Sequence, residues 1–591
     1  LRNVSRNIKS DPKKFWDFLK AKNNDISIPA VMTYNNYNVE SPLQIVNSFA
    51  NFFTKTFIQN TSPAKDIGDQ DLSALNINML HVPQFSESVV QKALKRLKPS
   101  MTAGPDSIPS FLLKDCAILL AGPLTLIFNL ILQTSQFPDL WKVSRVSPIF
   151  KAGNRSDISD YRPISIINNF AKVFEYILHH IIYSHVSNMI TTKQHGFMKG
   201  RSTVTNLTIF SQFISEVLDR RGQVDCIYID FSKAFDRIDH HTLLRKLSSF
   251  GLSDSLIALI KSYLFGRSQY VSLNGFDSYS YAQTSGVPQG SVLGPLLFNM
   301  YINDITKYLT VDCLMFADDL KIFVEIKLFE DCDRLQNNLD IISNWCQENF
   351  FCINGDKCYV MSFSKIINNT HYDYCFDNNV IKRKSLIRDL GVTFNTKLNF
   401  VDHINIITAK AFKSLGFVIR HSKEIDDIVA LKGLYLAFVR SKLEYASRIW
   451  SPIYDIHVSN IEKIQRRFLK YLAYRIDGVY PNQGFPHDLL LKRFELHSLQ
   501  RRRMVDSVLM LVYLVRSYID CPQLLSMLKF RTVTARFRST NLFEIATPRT
   551  NIMKASPLYQ AVRNYSFIGH KIDISFTSIS QITFIFETVE I

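Results

Sequence analysis

Cys313-Leu314-Met315-Phe316-Ala317-Asp318-Asp319-Leu320-Lys321-Ile322-Phe323 is the stretch that decides the reading of this chain. Two apolar runs flank a short polar break, the pattern of a β-hairpin with both carboxylates at its tip. Adjacent like charges raise each other's pKa unless a cation takes up the charge. A carboxylate pair at a strand turn therefore suits a hard ion held by oxygen, Mg²⁺ or Mn²⁺. A solvated acidic turn would show the same residues.

A second acidic strand end lies upstream. Val224-Asp225-Cys226-Ile227-Tyr228-Ile229-Asp230 alternates as a strand and runs into Phe231-Ser232-Lys233-Ala234-Phe235-Asp236. A strand delivering Asp230 beside the Asp318 turn would make a two-metal site, its ions roughly 4 Å apart, which clamps the attacking and leaving oxygens of an in-line phosphoryl transfer. Between the two acidic segments, Ser285-Gly286-Val287-Pro288-Gln289-Gly290-Ser291-Val292-Leu293-Gly294-Pro295 is a Gly/Pro turn that opens an apolar helical stretch.

Tyr228-Ile229-Asp230, then Gly286-Val287-Pro288-Gln289-Gly290-Ser291, then Phe316-Ala317-Asp318-Asp319 resembles motifs A, B and C of reverse transcriptases. The Phe-Ala-Asp-Asp form, with Asp160-Tyr161-Arg162-Pro163-Ile164-Ser165 upstream, resembles the non-LTR (LINE-type, jockey-like) retrotransposon enzymes. The resemblance spans residues 94 to 475. It implies an α+β right-hand polymerase: fingers, a palm with an antiparallel sheet, a helical thumb, and a small C-terminal region. It also implies an N-terminal linker or extension over 1–88, fingers and palm over 89–365, and the primer-grip region and thumb over 366–480. A role for 481–591 is not implied.

The same resemblance implies roles for single residues. Asp230, Asp318 and Asp319 would hold two Mg²⁺ ions (Mn²⁺ in their place), with the backbone carbonyl of Phe231 as a further ligand and Asp319 at the edge of the shell. Phe235 would be the ring under the sugar that excludes a 2′-hydroxyl by lack of room; the plainer reading is a core Phe at a strand–helix junction. Arg162 and Lys151 would face the triphosphate, where fixed cations stabilise charge developing on pyrophosphate; Lys151 also reads as an ordinary turn lysine. Gln289 would lie near the nucleotide, with Gly290 permitting close backbone approach. Asn354 and Lys357 resemble motif D, whose lysine would act as general acid toward pyrophosphate. Leu390-Gly391-Val392-Thr393-Phe394 resembles motif E.

Composition agrees with a nucleic-acid enzyme. The 591 residues include 69 Lys+Arg against 52 Asp+Glu, a net charge of +17, and basic surface gives salt-dependent phosphate affinity. At 46% hydrophobic residues the chain is not disordered and can build two to four domains. Nine cysteines lie without CxxC or HxxxH spacing, which points to reduced thiols, an intracellular location in nucleus or cytoplasm, and no structural zinc. The chain starts Leu1-Arg2-Asn3, the start expected of a piece of a longer reading frame. Residues 117–132 are apolar but interrupted by Gly122-Pro123 and short for a membrane span, so packed helices rather than a membrane are expected.

Further expectations follow along the chain. Helices are expected over 87–97, 167–190 and 330–348, and strands over 143–150 and 358–363, with a turn at Lys151-Ala152-Gly153-Asn154. His195-Gly196-Phe197-Met198-Lys199-Gly200-Arg201-Ser202-Thr203 is a basic glycine loop that suits a phosphate contact, a helix cap, or both at once. His240 and His241 read as structural, and Asp236 and Asp239 as helix N-terminal acids. Basic helices after 402 would grip an RNA template or an RNA:DNA duplex; Arg501-Arg502-Arg503 is either a second grip or a solvated face. A strand-like run closes the chain at 572–591.

The expected partners are an RNA template, a DNA primer or target, and dNTPs; no oligomeric state follows. The expected activity is copying RNA into DNA from a nicked DNA end. The rivals are a decayed or domesticated copy that binds nucleic acid without catalysis, and an intron-maturase-like reverse transcriptase.

Overall fold

The computed structural model describes residues 11, 14–15, 28–58, 79–366, 369–531, 542–545 and 547–588. Of the basic-aromatic segment 13–19, only Lys14 and Phe15 lie among them. Helix α1, Pro42–Thr54, buries Ile45, Val46, Phe49, Ala50 and Phe53, one stripe at helical spacing. That stripe packs on Val146, Tyr161 and Val271 of the fingers sheet, so this part of the N-terminal extension belongs to the fingers.

Fingers helices α2, Glu87–Arg96, and α3, Ala117–Thr134, pack against each other. Helix α3 corrects the expectation of an interrupted segment: it runs unbroken through Gly122-Pro123, and by length and composition it is apolar enough to cross a membrane. One face (Ala117, Ala121, Leu124, Phe128, Ile131) is buried in the fingers core, while Leu119 and Leu126 lie exposed. Strands β1, Val143–Phe150, and β2, Tyr161–Ile166, pair antiparallel with Ile149 opposite Arg162. Arg162 and Lys151 therefore end up at the same end of this hairpin. Helix α4, Asn169–Val186, follows.

The palm begins with α5, Thr203–Asp219, and continues through β3, Gln223–Ile229, and α6, His240–Ser248. Strand β4, Ser268–Leu273, returns to the fingers and lies parallel to β1. After it come α7, Gly294–Ile302, and the hairpin β5, Asp312–Phe316, with β6, Asp319–Ile326. Helix α8, Phe329–Glu348, and strand β7, Tyr359–Ser364, complete the palm. The sheet order is β7-β3-β6-β5, antiparallel throughout.

Period two explains why this sheet is buried on both faces. On β3, Val224 and Cys226 face a core shared with the thumb, whereas Ile227 and Ile229 face a second core shared with the fingers. Leu320 is opposite Ile229, so the register brings Asp230 and the Asp318-Asp319 tip to one end of adjacent strands.

Hairpin β8, Leu386–Asp389, and β9, Val392–Asn395, turns at Leu390-Gly391, both at positive φ. Helices α9, Val401–His421, and α10, Asp455–Asp477, form the thumb. Beyond it α11, Leu499–Val515, packs on α12, Pro557–Ile568. The closing run is helix, not strand: α13 covers Ile579–Thr588. Ile582 and Phe586 are buried while Phe584 is exposed. Burial thus recurs every four residues, and tertiary packing overrides the alternation in the sequence. Residues 589–591 lie outside the described residues. The C-terminal helices share one core with α5 and the thumb.

Candidate active site

Strand β3 ends at Asp230, and a second segment fixes its backbone. The Asn354 N–H donates to the Asp230 carbonyl at 2.8 Å, and the Ser232 N–H to the Cys352 carbonyl at 2.8 Å. The next carbonyl, of Phe231, receives no hydrogen bond among the described residues, while the Phe231 ring is buried against Phe351. Lys357, in the turn after Asn354, sets its Nζ 3.9 Å from Asp230 Oδ2.

Across the sheet, Ala317 and Asp318 make the tip of the β5–β6 hairpin. Burial and the charge of Asp230 raise the Asp318 carboxyl above its ordinary range, against the opposing pull of Arg162 and Lys151. Although Asp319 reaches solvent, the protein mass around the tip, together with Asp318, Asp389 and Asp230, pushes it up to about 6. Lys151 is lowered by burial and by Arg162 and Lys357, and feels Asp230 and Asp318 in return. The sequence-expected acids Asp230, Asp318 and Asp319 and cations Lys151, Arg162 and Lys357 are thus brought into one cluster.

This donor set fits a divalent cation. Carboxylates from two strands repel one another, and a bare backbone carbonyl stands beside them. Among the described residues no three acidic, His or Cys side chains yet enclose a single point. Asp318 feels the charge of Asp230, while Asp319 feels Asp389 as well as both of them.

Several residues that hold this tip left little trace in the sequence. Ala317 sits at φ 55°, a left-handed conformation that costs an L-residue about 1 kcal/mol. The buried Gln194 amide fixes it: Oε1 accepts from Ala317 N (2.9 Å) and Gly196 N (2.7 Å), and Nε2 donates to the Ala317 carbonyl (3.2 Å). A Cβ on Gly196 would overlap the Ala317 nitrogen. Behind the tip, Lys321 forms a buried ion pair with Asp389 of β8 and lies 4.4 Å over the Phe210 ring.

The loop from Ser285 to Gly294 is held by polar groups from three directions. Gln289 donates to Asp236 Oδ1 at 2.7 Å. The Ser165 N–H donates to the Gln289 carbonyl at 2.7 Å, and a Cβ on Gly290 (φ 122°) would strike the Ser165 carbonyl. The close approach that requires this glycine is therefore to the fingers strand. Buried Glu175 accepts from the Val292 and Leu293 N–H groups at 2.7 and 3.1 Å. Imidazole Nε2 of buried His240 meets the Gly286 carbonyl at 2.8 Å.

Asp239 caps α6 through the Thr242 N–H, as expected. Asp236 does not cap a helix: it is buried under the loop, and burial raises it to about 6. Half-buried Phe235 stacks on Phe298 at 4.2 Å and 11°, so the ring is fixed from behind.

A family model described as "Reverse transcriptase (RNA-dependent DNA polymerase)" matches residues 149–419, the span holding every one of these groups. Residues 149–419 are a reverse transcriptase domain. The chain is 25% identical over 450 residues to a probable RNA-directed DNA polymerase from transposon BS of Drosophila melanogaster, covering 72% of this chain and 49% of that protein. It is 29% identical over 404 residues to the polymerase from mobile element jockey of Drosophila funebris, covering 65% and 43%. A third relative is the probable polymerase from transposon X-element of Drosophila melanogaster, at 28% over 419 residues, covering 68% and 46%. The chain thus spans less than half the length of these relatives. A telomerase structure from Candida albicans aligns at 12% identity and TM-score 0.31 over 67% of this chain and 68% of that one; the fold assignment rests on the sheet order instead.

Two basic features outside the acidic cluster take part in holding the fold together. The glycine loop caps α5 through a reciprocal pair between Ser202 and Thr205. Its Arg201 donates to the carbonyls of Thr191, Gln194 and Asp520 and so ties the C-terminal region to the palm. In the arginine triplet, Arg502 pairs with Glu444 and Arg503 is buried. Arg502 and Arg503 therefore serve the fold, and Arg501 stays partly exposed beside them.

Proposed function

We propose that this chain is an RNA-directed DNA polymerase of the non-LTR retrotransposon type, copying an RNA template from a DNA 3′ end by nucleotidyl transfer. The carrying observation is the juxtaposition of Asp230 and Asp318 at one sheet end, with Lys151, Arg162 and Lys357 facing them. Mutually repelling carboxylates ringed by cations suit metal-assisted chemistry on a polyphosphate.

Asp230, Asp318, Asp319 and the Phe231 carbonyl would hold two Mg²⁺ ions. These supply Lewis acidity toward the primer hydroxyl and neutralise phosphate charge. Arg162 and Lys151 bind the triphosphate and stabilise the pyrophosphate as it leaves. Lys357 lies close enough to the acids to give it a proton. Phe235, backed by Phe298, leaves no room for a 2′-hydroxyl, and Gln289, fixed by Asp236, lines the same site. The exposed Arg466 of α10, and Arg467, which rests 4.8 Å from the Phe412 ring, offer phosphate contacts for the RNA:DNA duplex. The nicked target DNA serves as primer, and the work is done inside the cell, in nucleus or cytoplasm.

The test is Mg²⁺-dependent dTTP incorporation on poly(rA)·oligo(dT), beside an Asp318→Ala, Asp319→Ala control. Incorporation lost in the control supports the reading. A folded wild-type protein that binds RNA in a salt-dependent way without incorporating dTTP overturns it in favour of a binding-only role.

A further inference from the structure

At the outer edge of the palm sheet, far from the catalytic acids, three segments converge on a second basic surface. The backbone of 382–384 pairs with the free edge of β7 through Val360. The Ser364 N–H reaches the Thr396 carbonyl, and the Thr396 N–H reaches the Ser385 carbonyl. The cleft they leave, about 900 Å³, takes its cations from Lys365, Arg383, Lys384 and Lys397. Hydroxyl groups come from Ser362, Ser364, Ser385 and Thr396, and among the described residues no carboxylate lines it.

Charge counting separates one cation from the other three. Asp225, fully buried beneath the cleft, takes Ser362 Oγ at 2.6 Å, the Tyr374 hydroxyl at 3.0 Å and Gln223 Nε2 at 2.9 Å. Arg383 lies 3.7 Å from Asp225 Oδ2, donates to the Tyr372 carbonyl at 2.6 Å, and bonds Ser362. Its charge is therefore matched, and it forms a rigid floor. Lys384 rests over the Tyr359 ring, 3.2 Å from its centroid. Among the described residues Lys365, Lys384 and Lys397 have no carboxylate partner, so a surplus of three positive charges rims a hydroxyl-lined cleft.

We propose that this cleft is a phosphodiester-backbone site, a second contact for nucleic acid separate from the primer–template groove. The proposal rests on the polymerase reading. Cations spread over three segments match a strand of successive phosphates, and the Ser364, Ser385 and Thr396 hydroxyl groups supply donors for phosphate oxygens. Ser364 lies opposite Gln223, seven residues before Asp230, which at roughly 3.3 Å per strand residue puts the cleft roughly 23 Å from the catalytic end. A bound strand here would tether the nucleic acid without entering the chemistry.

The experiment compares wild type with Lys365→Ala/Lys384→Ala/Lys397→Ala, using fluorescence anisotropy on a long single-stranded RNA and on a DNA duplex across a salt series. The expected result is a slope of log K against log salt shallower by roughly 2, since each phosphate contact contributes roughly 0.7 on a single strand and 0.9 on duplex DNA. Affinity at low salt should fall at least tenfold, with dTTP incorporation on a short poly(rA)·oligo(dT) substrate unchanged. Whichever probe loses the slope identifies the strand held, RNA or target DNA. A matching Lys→Arg triple variant should keep the wild-type slope. An unchanged slope in the alanine variant overturns the proposal, and so does a parallel loss of incorporation on the short substrate, which would assign the lysines to the catalytic groove. If neither protein incorporates dTTP yet the slopes still differ, the polymerase reading fails and the site stands.

Discussion

Gln194→Glu is the sharpest probe of how this domain holds its acids. Glutamate keeps the shape of the side chain and an acceptor for the Ala317 and Gly196 N–H groups. It loses the Nε2 donor to the Ala317 carbonyl (3.2 Å) and sets two oxygens against each other there. An unpaired buried polar group costs roughly 1–3 kcal/mol, so about 2 kcal/mol is expected at a pH where the new carboxyl is ionised. The carbonyl belongs to the residue before Asp318, and the strain of Ala317 gives the tip a way to relax out of its left-handed conformation. If about 1.4 kcal/mol of the loss reaches the transition state, kcat falls tenfold. KM for dTTP should barely move, because Arg162 and Lys151 are untouched. At low pH the introduced carboxyl, once protonated, can donate again, so the defect should shrink as pH falls. The assay is dTTP incorporation across a pH series, beside a thermal melt. Wild-type kcat at high pH, or a kcat loss fully explained by unfolded protein, would refute the reasoning.

Three other outcomes follow from the same geometry. Lys321→Met leaves Asp389 buried and unpaired and should cost about 3–5 kcal/mol in denaturant unfolding, with most of it recovered in Lys321→Met/Asp389→Leu. Asp236 rises from 3.8 to about 6 on folding, so its favourable contribution is complete below pH 4 and is lost as pH climbs through 6. Asp236→Asn removes that dependence and can still accept from Gln289, so variant stability relative to wild type should improve by about 2 kcal/mol between pH 4 and 7. Phe235→Ala should narrow the preference for dTTP over UTP by roughly 10- to 100-fold in competition assays, and an unchanged ratio would remove Phe235 from the sugar site.

The clustered acids were legible because each sits at the end of a period-two strand, where local pattern and chemistry coincide. The hairpin at Asp318-Asp319 and the strand into Asp230 needed no tertiary information beyond pairing. Lys321 carried a signal of its own, a charged residue in the middle of an apolar strand, but its partner Asp389 lies 68 residues away and had none. Gln194 was silent, since a glutamine in a polar loop reads as solvated whether or not it is buried. Asp236 was misread because an acid near a helix start suits the macrodipole, whereas here the chain turns it under the Gln289 loop. The closing segment failed for another reason: Ile582, Phe584 and Phe586 satisfy alternation, and only packing against α11 selected the spacing of four.

The supports around the two motif loops share a physical logic. Asp230 and Asp318 repel, and the tip that carries Asp318 is itself strained, so left alone this end of the sheet would spread. It is opposed by hydrogen bonds from buried side chains on elements outside the palm sheet: Gln194 on the tip, Asn206 of α5 on the Met315 carbonyl, and Asn299 of α7 on the Gly196 carbonyl. The Gln289 loop is fixed in the same manner by Glu175, His240 and Asp236. Each of these bonds is worth only about 1 kcal/mol net, but each buried group is costly to leave unpaired. The penalty for leaving these groups unpaired therefore opposes any separation of the two carboxylates. Held this way, Asp230 and Asp318 keep their charge concentrated at one sheet end, and the fold carries the cost of assembling them.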